Sequence, residues 1–243
     1  MARLNPVFSA IQADGAYEDS ASIKGVAGKT FLLLGIAVLS GLFAIMYPQI
    51  LLGNPISYIF IVLAAVVCGF IGQMSARAAK ICSFIYAICE GMMLGLLSFL
   101  FEAMIQGIVL TAILITITIF GLMLFLYTSN VLRATRGFVK FMMGVGITIL
   151  VISLVYTISY FINPANAMIV ALNSNPGLLI LVSGLILLYG AFMLILDFEQ
   201  VKSMVYGGFD KRYEWMAALG LMITIVWIYV EVLRILFAFS KRD

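Results

Sequence analysis

The apolar residues of this chain are grouped into long runs that short polar segments separate. A bilayer core about 30 Å thick is crossed by about 20 apolar residues of helix, so runs of roughly 17 to 25 residues with few charges indicate membrane spans. Seven runs fit this length. They are Lys29–Tyr47, Ile56–Gly72, Ile81–Phe101, Ile105–Tyr127, Phe138–Ile162, Gly177–Leu196 and Trp215–Phe239. The pattern therefore predicts an all-α integral membrane protein with seven transmembrane helices.

The segments between the runs carry turn residues and are too short to hold a second domain. Gly53-Asn54-Pro55 precedes the second run, and Asn163-Pro164 and Asn173-Ser174-Asn175-Pro176 bracket the loop before the sixth. Residues 1–28 are polar and lack the apolar core of a signal peptide. We expect three parts: this soluble tail, a seven-helix domain over residues 29–239, and a C-terminal tail over residues 240–243.

Composition identifies the solvent of these helices. The 243 residues are 64% hydrophobic and 10% charged, whereas soluble domains carry about 25% charged residues. Lipid must therefore cover most of the surface, and the bilayer is the predicted partner. The same figures exclude a disordered chain, a nucleic-acid-binding basic domain and a disulfide-stabilised secreted domain.

The thiols and the lack of imidazole argue against metal and nucleophile chemistry. Cys68, Cys82 and Cys89 are odd in number and have no paired spacing, and the chain has no histidine. A zinc site and a Cys-His nucleophile are disfavoured on this basis. We expect three cysteines that behave as small hydrophobes, with no metal site and no cofactor.

The distribution of basic residues predicts the orientation in the membrane, because cytoplasmic loops retain Lys and Arg. Eleven of the 14 basic residues lie before or at the start of the first run, or in and next to the alternate loops after it. They are Arg3, Lys24, Lys29, Arg77, Lys80, Arg133, Arg136, Lys140, Lys202, Lys211 and Arg212. The amino terminus is therefore predicted to be cytoplasmic. Seven spans place the carboxyl terminus outside, although Lys241 and Arg242 favour the inside.

Ionisable residues within the apolar runs are the default candidates for function, because charge in hydrocarbon is costly. Four stand out: Glu90, Asp197, Glu231 and Arg234. Glu90 lies about 14 Å into the third run, near the middle of the bilayer. A protonated acid bonded to a neighbouring helix is the alternative interpretation of Glu90. For Glu231 and Arg234, three residues apart, an intrahelical ion pair near the outer interface is the simpler interpretation.

Asp197 looks at first like a residue at the membrane boundary. An apolar stripe at helical spacing follows it, and Gly207-Gly208 supplies a stop signal, so the sixth helix is predicted to continue to Tyr206. Lys202 then snorkels to the interface and leaves Asp197 about 7 Å inside it. An ordinary interfacial acid remains the alternative.

Gly91 and Gly95 form a small-xxx-small pair in the third run. Such a pair lets another helix approach closely. It predicts a packing contact and marks the third helix as interior.

Four segments resemble the transmembrane Bax inhibitor motif superfamily, in its bacterial branch with a longer tail. Two are in the last third of the chain, where the aspartate-containing stretch precedes a last helix that ends in Leu-Arg. The segments are LILDFEQV (Leu194–Val201), EWMAALGLMITIVWIYVEVLRIL (Glu214–Leu236), IYAICEGMMLG (Ile85–Gly95) and NPVF (Asn5–Phe8). None of them is a catalytic signature. The resemblance implies a bacterial inner membrane location and six helices around a hydrophobic last one.

The resemblance also implies a pH-sensitive leak of cations, chiefly Ca²⁺, controlled by an aspartate in each of the last two helices. Asp197 matches the first aspartate, but Thr224 stands where the second is expected, and threonine does not titrate. We hypothesise that Glu90 supplies the missing carboxylate. Thr224 would then line the path, with Arg77 or Lys80 balancing the gate at the cytoplasmic mouth.

Two hypotheses therefore stand. In the first, the protein leaks cations through a gate of Asp197, Glu90 and Thr224, with Glu231, Arg234, Arg77 and Lys80 as supporting charges. In the second, it is a non-transporting regulator whose tail and loops bind a membrane protease or another membrane protein. A retinal photoreceptor is excluded, because the last run has no lysine for a Schiff base. We also expect no enzymatic activity.

Overall fold

Seven helices account for nearly all of the chain that the structure describes. The structure, a computed structural model, describes residues 20–49, 53, 55–163 and 175–240. Every helix is long and apolar enough to cross a membrane, which confirms the predicted all-α membrane fold. The helices are α1 (Ile23–Met46), α2 (Pro55–Met74), α3 (Ala76–Met104), α4 (Ile108–Thr128), α5 (Arg136–Ile162), α6 (Pro176–Tyr206) and α7 (Tyr213–Ser240).

The helices extend beyond several of the predicted runs, because polar caps start them before the apolar residues begin. The Ser22 hydroxyl accepts a hydrogen bond of 3.0 Å from the Gly25 amide, so α1 begins at Ile23. Residues 23–28, predicted as part of the soluble tail, are therefore helical. Ser240, predicted as the first residue of the C-terminal tail, is the last residue of α7. Residues 1–19 and 241–243 of the two tails lie outside the described residues.

The junction between α2 and α3 also differs from the prediction. Arg77 and Lys80 were expected in a loop, but Ser75 alone separates the two helices. The Ser75 carbonyl accepts hydrogen bonds from the Ala78 and Ala79 amides and so starts α3 at once. Arg77 and Lys80 consequently lie in the first turns of a helix.

The end of α6 agrees with the sequence. The helix continues past Asp197 to Tyr206, as predicted. Gly208 adopts a left-handed conformation, with φ of 66°. The Gly208 amide bonds to the Val205 carbonyl at 3.1 Å and the Phe209 amide to the Met204 carbonyl at 3.2 Å. This is a Schellman motif, which ends a helix by satisfying its last carbonyl groups.

The outward faces of the helices are apolar. Phe31, Phe60 and Phe141 are 71%, 72% and 65% exposed, and many aliphatic side chains are exposed to a similar degree. Lipid is the solvent that such a surface requires. Cys82 and Cys89 are buried, as predicted for small hydrophobes, while Cys68 is half-buried.

The last helix is the most buried of the seven. In α7, 61% of an 18-residue apolar stretch is buried, compared with at most 39% of a stretch of that length in any other described helix. Its buried face includes Ala218, Leu219, Met222 and Leu233, which are inaccessible to solvent. The expected arrangement of the other six helices around α7 stays a prediction.

The chain divides into two compact units. The first contains residues up to Leu97 and residues Glu199–Met222. In it, α1 and α3 meet through small residues: a Cβ atom added to Gly41 would lie 2.9 Å from the Gly91 carbonyl oxygen, and one added to Gly95 would overlap the Gly41 backbone. The predicted close approach of a helix at Gly91 and Gly95 is confirmed, and α1 is that helix.

The second unit contains residues 98–198 and 223–243. Aromatic pairs join its helices, with ring centroids 5.6 Å apart for Phe120 and Phe198 and 5.5 Å apart for Tyr189 and Trp227. The second pair connects α6 to α7. This unit therefore contains the contact between the two helices that carry the candidate site.

Candidate functional site

Asp197 and Thr224 meet between α6 and α7. Because α6 continues to Tyr206, Asp197 is held well inside a helix. Thr224 lies in α7 and is only 6% exposed. Its hydroxyl donates a hydrogen bond to the Asp197 carboxyl group. The structure thus brings together two of the three residues predicted for the gate.

The other oxygen of Asp197 is buried and unsatisfied. Asp197 Oδ2 has no hydrogen-bond partner within the described residues. A buried polar atom without a partner is costly, and a buried unpaired charge is more costly still. Such an oxygen is satisfied by a proton, by water or by a cation. The arrangement therefore has the chemistry of an ion-binding or proton-binding position.

Glu90 is the third residue predicted for the gate. It is half-buried on α3, one helical turn after the buried Tyr86. Glu90 belongs to the first unit, whereas Asp197 and Thr224 belong to the second. The proposed pairing of Glu90 with Asp197 therefore stays a prediction.

Glu231 and Arg234 form the intrahelical ion pair that their spacing indicates. Arg234 Nη1 lies 3.0 Å from Glu231 Oε1. The Glu231 side chain is 3% exposed, whereas that of Arg234 is 53% exposed. Ser183 of α6 and Trp227 of α7 lie next to the same carboxyl group. The pair is therefore a buried carboxylate with a guanidinium that reaches out of the protein interior.

Arg77 and Lys80 are both exposed at the start of α3. The Lys80 ammonium group lies 5.9 Å from the centre of the Trp215 ring. The Lys29 ammonium group lies 5.0 Å from the same ring. Two cations thus flank one indole at the start of α7, an arrangement that cation–π attraction favours.

Sequence reasoning missed a buried ion pair at Glu214. Glu214 is 1% exposed and forms an ion pair with Lys29. The Ser22 amide and hydroxyl lie 2.7 Å and 3.1 Å from Glu214 Oε1, so the start of α1 is bound to the start of α7. The available signal was an isolated acid at the start of the last run. It did not reveal the partner, which lies 185 residues away in sequence.

The loop before α7 carries a further, exposed ion pair. Asp210 accepts hydrogen bonds from the Arg212 backbone amide at 2.8 Å and from Arg212 Nη2 at 2.9 Å. The Arg212 side chain and amide together lower the pKa of the Asp210 carboxyl group to about 2. Asp210 is therefore ionised at every physiological pH.

Comparison with families of known proteins shows the family to which the chain belongs. The family model described as Bax inhibitor 1 like matches residues 5–241, nearly the whole chain. The chain belongs to the Bax inhibitor 1 like family. This confirms the resemblance inferred from the four segments and establishes a multi-pass membrane protein of that family. Searches of the curated proteins and of the solved structures give no match.

Proposed function

We propose that this Bax inhibitor 1 like protein leaks cations, chiefly Ca²⁺, across the bacterial inner membrane under the control of Asp197. The observation that carries the proposal is the buried Asp197 Oδ2, which has no hydrogen-bond partner among the described residues. An intramembrane carboxylate of this kind is the usual mark of an ion or proton pathway. Family membership supports the proposal, because the family resemblance implies a cation leak.

The sign of the pH dependence follows from the charge of Asp197. The ionised carboxylate attracts a cation, while the protonated form is neutral and remains bonded to the Thr224 hydroxyl. Protonation therefore removes the attraction, so the leak is expected to increase as the pH rises through the titration of Asp197. A carboxylate at Glu90 that shares this proton would stabilise the closed state, because two close negative charges are costly.

Other charged residues have supporting roles in the proposal. The exposed Arg77 and Lys80 would repel cations at the cytoplasmic mouth and so limit the leak. The amino terminus is cytoplasmic, as the basic residues predict, and the seven spans place the carboxyl terminus outside. The leak is a passive process, and the protein has no enzymatic activity.

Purified protein in Ca²⁺-loaded vesicles of phosphatidylethanolamine and phosphatidylglycerol tests whether the protein conducts at all. The proposal predicts release of Ca²⁺ that protein-free vesicles do not show, and a faster release at mildly alkaline than at mildly acidic pH. The absence of release at every pH would contradict the proposal and favour the non-transporting regulator. Most of the tail on which that alternative rests, residues 1–19, lies outside the described residues.

A further inference from the structure

Polar or small residues recur at a spacing of seven along the facing sides of α6 and α7. On α6 the series is Asp197, Gly190 and Ser183, and on α7 Thr224 and Glu231 are likewise seven residues apart. Seven residues are close to two helical turns, so the members of each series share one face of their helix. The two acids therefore lie along a single line of contact between α6 and α7, here called the seam.

Contacts along the seam form three levels in antiparallel order. At the first level, Thr224 is bonded to Asp197. At the second, a Cβ atom added to Gly190 would lie 3.2 Å from Ile228 Cγ1, which shows a close apolar approach. At the third, Ser183 lies beside Glu231. An apolar contact thus separates two carboxyl groups on the same seam, each of which has a buried oxygen.

Glu231 resembles Asp197 in having one satisfied and one unsatisfied oxygen. Its Oε1 accepts a hydrogen bond from Arg234, but Oε2 is buried and has no hydrogen-bond partner among the residues described. Ser183 is 2% exposed, so its hydroxyl next to this carboxyl group is shielded from solvent. A proton on Oε2 would turn an unsatisfied acceptor into a donor, and the Ser183 hydroxyl is a suitable acceptor for it.

Few other charges act on Glu231 within the second unit. Arg234, on its own helix, is the charged group in contact with it. Glu102, near the end of α3, is occupied by the Gly107 and Val109 amides at 2.6 Å and 3.1 Å. The remaining charged residues described in this unit, apart from Asp197, are Arg133, Arg136 and Lys140, between or at the start of other helices. The charge of Glu231 is therefore balanced by Arg234.

We propose that Glu231 is a second proton-binding site on the seam, with Ser183 as the hydrogen-bond partner of the protonated form and Arg234 as the counter-ion of the ionised form. The proton comes from the solution at the end of α7 opposite Glu214 and binds to Oε2. Binding removes the negative charge and weakens the ion pair, and the guanidinium of Arg234 keeps its proton. Half of the Arg234 side chain is exposed near the predicted outer interface, so the released guanidinium can snorkel to the headgroup region.

This site would contribute to the pH dependence of the cation leak, a role that rests on the proposed function. Asp197 would bind and release a proton at one end of the seam and Glu231 at the other end, with Ile228 between them. The proton-binding site itself requires no conduction. It is therefore tested separately from the leak.

Infrared difference spectroscopy of the protein in lipid vesicles, titrated with acid, tests the site directly. A protonated, buried carboxyl group gives its own carbonyl stretching band. We expect a band in the wild type that Glu231→Gln removes, and that Ser183→Ala shifts because the hydrogen bond is lost. Glu102→Gln is the matched control and should leave the band unchanged, since that carboxylate is half-buried and accepts hydrogen bonds from two backbone amides.

Two results overturn the proton-binding site. The first is a spectrum of Glu231→Gln identical to that of the wild type over the whole titration. The second is an unchanged band in Ser183→Ala, a variant that keeps both charges of the ion pair and so remains informative if Glu231→Gln does not fold. A Ca²⁺ leak whose pH dependence is the same in the wild type and in Glu231→Gln overturns the role of the site. A wild type without any leak contradicts the proposed function and leaves the infrared result valid.

Discussion

At the scale of single residues, Asp197 is defined by the unequal environments of its two oxygens. One side of the carboxyl group has the Thr224 hydroxyl, while Oδ2 has no partner in the described part of the chain. A hydroxyl satisfies one oxygen but does not add a second negative charge. The contact between Asp197 and position 224 therefore contains one acid where the family resemblance implies two.

Replacement of Thr224 by aspartate should restore the two-acid arrangement. Two carboxyl groups in contact do not both ionise cheaply, so one proton is retained to higher pH. Thr224→Asp is therefore expected to move the onset of the Ca²⁺ leak to higher pH than in the wild type. The measurement is the leak rate in vesicles as a function of pH.

Thr224→Asn is the control for this substitution, because asparagine has the shape of aspartate and does not titrate. It should leave the onset close to that of the wild type. Identical curves for Thr224→Asp and Thr224→Asn would show that a charge at this position does not act on Asp197.

Sequence reasoning identified Asp197 because a carboxylate is conspicuous among apolar residues and the helical stripe continues beyond it. The contact with Thr224 depends on the register between α6 and α7, which no local pattern specifies. Thr224 was singled out only through the family resemblance. Glu214 was missed for a related reason: its partners Ser22 and Lys29 are distant in sequence, and Lys29 indicated only a cytoplasmic charge.

At the scale of helices, contacts between glycine residues determine how closely two helices approach. Gly95 of α3 lies directly against the backbone of Gly41 of α1. Helix association in a membrane depends on such close van der Waals packing, since lipid supplies no hydrophobic driving force between helices. The α1–α3 contact should therefore be sensitive to a single methyl group.

Gly95→Ala is expected to lower the free energy of unfolding by about 1 to 3 kcal/mol, because the added methyl group overlaps the Gly41 backbone. Unfolding in mixed micelles of detergent and denaturing surfactant measures this change. Gly35→Ala, on α1 at a position with open space around it, is the control and should not destabilise the protein. Equal stability of the two variants would contradict the packing described for α1 and α3.

The apolar runs predicted the seven helices, but they did not predict where several of these helices begin and end. The runs end where apolar residues end, whereas α1 begins at Ile23 because the Ser22 hydroxyl caps it. At α3, the Ser75 carbonyl starts a new helix one residue after α2. Capping and turn hydrogen bonds set these boundaries, and they leave little trace in hydropathy.

At the scale of the whole molecule, the scarce charges fall into two classes. Most basic residues lie in the segments predicted to be cytoplasmic, and a few carboxylates are buried. Glu214 is the buried acid nearest the predicted cytoplasmic side, and it binds the start of the first helix to the start of the last. The ion pair with Lys29 thus links segments almost at opposite ends of the chain.

Removal of the Glu214 charge should destabilise the protein. Glu214→Gln leaves the partly buried Lys29 ammonium without its counter-ion, and loss of one partner of a buried pair costs up to about 3 to 5 kcal/mol. Thermal unfolding in detergent is the measurement. Asp210→Asn, which breaks the exposed pair with Arg212, is the control and should have a much smaller effect. A larger loss of stability in Asp210→Asn would contradict the structural role of Glu214.

Control of the cation leak by the charge of Asp197 is tested by comparing two proteins. Ca²⁺ release from vesicles is measured against pH for the wild type and for Asp197→Asn, which keeps the shape of the side chain and the hydrogen bond to Thr224 but does not ionise. Control by Asp197 predicts that release from the wild type increases with pH and that release from Asp197→Asn is slower and depends less on pH. The same pH dependence in both proteins would contradict it.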